Sequence, residues 1–109
     1  MTNKRAHDKS LNEIINNPSI IGIGNYDIEV IMKEPVILQY GTLVACPDLV
    51  FICEDNQNYV VEYKHTFNEK GYEQLSRADS VLRHTSIKGS FDMIFAYRDK
   101  KERMIYERC

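Results

Sequence analysis

"CPDLVFICEDNQNYVVEYKHT", residues 46–66, is the stretch whose reading decides the fold. "LVFIC" (49–53) is apolar at every position, the pattern of a strand covered on both faces and central in its sheet. "EDNQN" supplies turn chemistry, and "YVVEYK" (59–64) is a second strand. The segment 49–64 is therefore predicted to be an antiparallel hairpin with a loop of three to five residues. Three ionisable residues, Asp48, Glu62 and Lys64, interrupt this otherwise apolar pair.

Side chains alternate along a strand, so Glu62 and Lys64 share one face and Val61 and Tyr63 take the other. Paired residues in an antiparallel hairpin have a constant sum of numbers. A sum of about 112 sets Asp48 against Lys64, and a sum of about 110 sets it against Glu62. Either even sum gathers all three charges on one face at one end of the hairpin, whereas a slip of one residue scatters them.

Working outward, the 109 residues are enough for one domain with a single core, 1–109, and too few for a separate recognition domain. The chain is 43% hydrophobic and 28% charged, which indicates neither disorder nor a membrane protein. It has no apolar run long enough to span a bilayer, and "MTNKRAHDKS" has no apolar secretory segment, so a cytoplasmic location is expected. Cys46, Cys53 and Cys109 form no C-x-x-C pair and read as isolated thiols. The net charge of −2 argues against a protein that coats nucleic acid through a general basic field.

Residues 1–7 are polar and expected to be loose. Leu11, Ile14 and Ile15 have the spacing of a short amphipathic helix, roughly 8–17, stopped by Pro18. "IGIGNYDIEVIMKEPVIL" reads as one or two strands broken by turns. After the hairpin, Thr66 and Glu69 have capping-box spacing for a helix running to about His84, with Gly71, Leu75, Ala78 and Leu82 on its packed face. "FDMIFAYR" and "RMIYER" are further strands. The order predicts an α/β or α+β fold with helices against a central mixed sheet.

Two carboxylates and an ammonium at the end of a central hairpin suit a hard divalent cation. Mg²⁺ is typically held by one or two carboxylates plus waters and substrate phosphate oxygens. A lysine beside it can orient the attacking water and stabilise charge on the phosphate. The plainer interpretation is a Glu62–Lys64 ion pair, worth about 0–1 kcal/mol at a surface. An E-x-K triplet alone carries little information, since chance supplies one in about every second chain of this length. A Pro-Asp upstream at the start of the partner strand is what gives the pattern weight.

These residues resemble the PD-(D/E)XK nuclease superfamily: Pro47-Asp48, a gap of thirteen residues, then Glu62-Tyr63-Lys64. The resemblance implies a restriction-endonuclease-like core of helix, three strands, helix and strand. It implies Mg²⁺, with Mn²⁺ as substitute, bound by Asp48, Glu62 and the backbone carbonyl of Tyr63, with Lys64 assisting the water that hydrolyses DNA. "EQLSRA" is similar to the Q-L-x-R-Y segment of some members, with Gln74, Leu75 and Arg77 matching and Ala78 replacing the tyrosine. This makes Gln74 an accessory candidate. An acidic residue on the first helix is also common among members. Glu13 is the candidate here, although helical geometry turns it away from the Leu11, Ile14, Ile15 stripe, and Glu29 is the substitute.

The three histidines lack partners at metal-ligand spacing and read as surface residues, and no phosphate-binding glycine loop, G-x-S-x-G or zinc cluster points to another enzyme class. The alternative function is a binding or interaction module that keeps the fold without catalysis. A homodimer through "RMIYERC", where Met104, Ile105 and Tyr106 would line an edge strand, or a larger nuclease complex, would give so small a chain more surface to grip DNA.

Overall fold

The first helix, α1 (Lys4–Asn16), begins within the segment expected to be loose, and it carries the Leu11, Ile14 stripe into the core. The computed structural model describes residues 4–24, 28–54, 56–85, 87 and 89–109. Pro18 ends α1 as expected and opens a short 3-10 helix, Pro18–Ile21. Gly22 closes it at φ +83°, where a Cβ would also lie 2.9 Å from the Tyr106 hydroxyl, so conformation and space both require glycine.

The strands are β1 (Ile28–Lys33), β2 (Ile37–Gln39), β3 (Thr42–Ala45), β4 (Leu49–Cys53), β5 (Gln57–Lys64), β6 (Ser90–Arg98) and β7 (Met104–Arg108), with α2 (Lys70–Leu82) between β5 and β6. Five of them form one mixed sheet in the order β1-β4-β5-β6-β7. Neighbours are antiparallel except β5 and β6, which run parallel because α2 carries the chain across the sheet between them. The fold is α+β, and among the described residues no helix is long and apolar enough to cross a membrane.

Both faces of the sheet are covered, which explains the unbroken apolar run of β4. Leu49, Phe51, Val61, Tyr63, Ile94 and Ala96 pack with α1 and the 3-10 helix. Val50, Val60, Met93 and Phe95 pack on the other face with Leu75, Ala78 and Leu82 of α2. The β4–β5 turn is the expected short loop, three residues long, with Asn56 at φ +61°, a left-handed conformation that asparagine tolerates. Buried Asn58 turns its side-chain carbonyl back to accept the Cys53 amide N–H at 3.2 Å.

Two expectations need correction. Helix α1 starts four residues earlier than its apolar stripe suggested. Helix α2 has no Thr66–Glu69 capping box. Glu69 is itself helical, and the Asn68 side-chain carbonyl accepts the Lys70 amide N–H at 2.9 Å instead. The stretch 21–38 holds strands broken by a turn, as expected: β1 joins the main sheet, and β2 pairs with β3 in a separate two-stranded sheet. At the far edge, β7 exposes Tyr106 and half-buries Met104 and Ile105.

Candidate metal and phosphate site

Register decides whether the three charges meet. Leu49 pairs with Val61, Val50 with Val60 and Phe51 with Tyr59. Each pair sums to 110, which extends to Asp48 opposite Glu62. Glu62 shares the face of Val60, toward α2, and Tyr63 lies on the α1 face.

Asp48 sits just before β4 and is 8% exposed. Its carbonyl accepts the Glu34 amide N–H at 2.8 Å, which pins its backbone. Its Oδ2 accepts the Tyr63 amide N–H at 2.7 Å, continuing the hairpin pairing with a side chain where the β4 ladder has ended. The same oxygen lies 3.3 Å from Nε2 of His7 on α1. Because a strand residue sends its N–H and C=O to the same side, the Tyr63 carbonyl turns toward Asp48.

Glu62 is 2% exposed and lies in hydrogen-bonding contact with Asp48. Burial, followed by that contact and the Asp48 charge, pushes its pKa up to about 10, with the Lys64 charge opposing. Without a cation the carboxyl therefore holds a proton at neutral pH. Its Oε2 is buried with no hydrogen-bond partner among the described residues. Lys64, half-buried at the end of β5, forms no ion pair among the described residues, so the plain Glu62–Lys64 salt bridge is not what holds these groups. Nearby Cys46 has its thiol pushed up by burial and then by the negative fields of Glu34, Asp48 and Glu62.

The two accessory candidates diverge. Glu13 pairs with Arg98 at 2.5 Å, and Arg98 also donates to Ser10 Oγ at 3.3 Å, in a cleft lined by Lys9, His65 and Glu102. Its carboxylate is thus committed away from Asp48. Gln74 lines a cleft of about 270 Å³ between α2 and β3, together with Leu43, Val44, Ala45, Cys46 and Arg77. Its Oε1 is buried and likewise has no partner among the described residues.

The residue that sequence reasoning missed is His7, which lies in the segment expected to be loose. A signal was present: His7, Leu11 and Ile14 follow i, i+4, i+7, so the apolar stripe continues back to the histidine. Its ring also packs against that of Tyr63, with centroids 5.6 Å apart.

The donor set is small. Among the described residues no three His, Cys, Asp or Glu side chains group as a metal cluster. Two carboxylates with a backbone carbonyl form an incomplete oxygen shell of the kind Mg²⁺ accepts, the remainder being water and phosphate oxygen. The orphaned Glu62 oxygen fits such an ion. The sequence matches no protein-family model, and comparison with curated proteins and with solved structures gives no match.

Proposed function

We propose that the chain is a small Mg²⁺-dependent nuclease that hydrolyses phosphodiester bonds in DNA. The observation that carries this reading is the buried Glu62 Oε2 beside Asp48, without a hydrogen-bond partner among the described residues, and Lys64 on the same face, without an ion pair among them. A carboxyl kept in the core at such electrostatic cost needs a compensating role, and a cation offers one. The element order supports a restriction-endonuclease-like core: α1, the antiparallel run β1-β4-β5, the crossover α2 and then parallel β6. The β2–β3 hairpin and β7 are additions to it.

Asp48, Glu62 and the Tyr63 carbonyl would hold Mg²⁺ or Mn²⁺, which would polarise the phosphate and acidify a bound water. Glu62 must release its proton for this, while the Tyr63 amide and His7 keep Asp48 aimed. Lys64 orients the water and stabilises charge on the phosphate oxygens.

Calorimetric titration with Mg²⁺ and Mn²⁺, paired with cleavage of single-stranded, duplex and branched DNA, tests the reading. Wild type should bind and cut, and Asp48→Ala should do neither. Ion binding unchanged by Asp48→Asn and Glu62→Gln would place the ion elsewhere. The protonated state of Glu62 beside Asp48 favours one rival, a module that keeps the fold and binds without cutting. DNA binding with no ion binding and no cleavage would select it.

A further inference from the structure

Between β1 and β4 the chain runs from Pro35 to Pro47, thirteen residues without a charged side chain. The β2–β3 hairpin formed there turns Ile37 and Ala45 into the α2 core. Its other side is open, with Leu38 58%, Leu43 60% and Tyr40 99% exposed. Leu38 and Leu43 are direct cross-strand partners and so share a face. Tyr40 and Gly41 form the tip, both at positive φ, as a two-residue hairpin turn requires. A ribbon with such an apolar outer surface marks a contact site.

Leu43 continues into the cleft that Cys46, Gln74 and Arg77 also line. On α2, Lys70, Gln74 and Arg77 recur at i, i+4, i+7, forming one polar stripe with exposed cations at both ends. The cleft thus has an apolar wall, Leu43 to Ala45, facing Gln74 and the Arg77 cation of α2, and Cys46, two residues before Asp48 in the chain, also lines it; Tyr40 at the hairpin tip and Lys70 at the start of α2 are exposed beyond that lining.

Resting on the nuclease reading, we propose that this groove binds a single unpaired nucleic-acid strand. Bases stack on Tyr40 and lie along Leu38 and Leu43, phosphates face Arg77 and Lys70, and the backbone is led to Asp48 and Glu62. Stacking on an aromatic beside a basic track is the general chemistry of single-strand binding. Charge complementarity favours this occupant over a second copy of the hairpin, because residues 35–47 contain no carboxylate to meet Lys70 and Arg77, whereas a nucleic-acid strand carries a negative phosphate at every nucleotide.

Fluorescence anisotropy in EDTA, where cleavage is silent, tests the proposal with labelled oligothymidine, oligouridine and a blunt duplex of equal length. Wild type should bind a single strand about tenfold or more tighter than duplex, and the preferred oligomer names DNA or RNA. Tyr40→Ala and Arg77→Gln should each weaken single-strand binding by about tenfold with the melting temperature unchanged, and Arg77→Gln should also flatten its salt dependence. Equal binding of single strand and duplex, or single-strand affinity unchanged in both variants, would overturn the proposal. So would sedimentation in which Tyr40→Ala converts a dimer to a monomer, which would assign the hairpin to a second copy. Failure of the nuclease reading is separable: single-strand binding without Mg²⁺-dependent cleavage supports the groove and removes hydrolysis.

Discussion

Glu62→Gln should stabilise the metal-free protein, and by an amount that grows with pH. Burial, then the contact with Asp48 and its charge, lifts the Glu62 pKa from 4.5 to about 10. A carboxyl raised in this way binds more protons folded than unfolded. Its contribution is intact below the unfolded value of 4.5 and is lost progressively as pH rises toward about 10. At neutral pH the unfolded chain has released the proton and the folded chain has kept it. That gap of about 2.5 pH units, at about 1.4 kcal/mol each, removes on the order of 3 kcal/mol relative to acid conditions. The loss is large beside a typical domain stability of about 5–15 kcal/mol.

Glutamine has the shape of the protonated acid, can still donate to Asp48, and cannot ionise. Urea unfolding in EDTA at a series of pH values is the assay. Taking the variant minus wild type at each pH cancels the titrating groups that do not interact with Glu62, and the difference should climb from near zero in acid to on the order of 3 kcal/mol at neutrality. Adding Mg²⁺ should reverse the order, because only the wild-type carboxylate exchanges its proton for the ion. A difference that stays flat with pH would refute the reasoning, since it would mean that Glu62 is already ionised in the folded protein.

Lys64→Ala should leave divalent-ion affinity near the wild-type value and lower cleavage by about 100-fold or more, and single-turnover kinetics with calorimetry separates the two effects. His7→Ala frees the Asp48 carboxylate and should weaken Mn²⁺ binding by about tenfold, measured by calorimetry, while chemical stability changes little. Gly71→Ala would set a Cβ 2.7 Å from Cζ of the fully buried Phe95, and denaturant unfolding should register a loss of about 1–3 kcal/mol.

The amino-acid order alone determined the central hairpin, because β4 and β5 carry local signals that need no partner to interpret: an unbroken apolar run, turn residues and a two-residue alternation. It determined the packed face of α2 for the same reason, since Gly71, Leu75, Ala78 and Leu82 are related by helical periodicity within one element. It also narrowed the meeting of Asp48, Glu62 and Lys64 to two registers. Tertiary structure decided the rest. The choice of the 110 register came with the length of the β4–β5 turn, between Cys53 and Gln57, which residue types alone left at three to five residues. Asn68 displaced the Thr66–Glu69 cap because the crossover from β5 sets where α2 may begin. Arg98, distant in sequence, claimed Glu13, and packing of α1 on Tyr63 brought His7 to Asp48 in its place. The β2–β3 hairpin left the main sheet because β4 already had β1 on its free edge, and an edge once paired cannot accept another strand. Local periodicity is written in neighbouring residues, whereas partnership across the fold is settled only when distant segments compete for the same edge, face or charge.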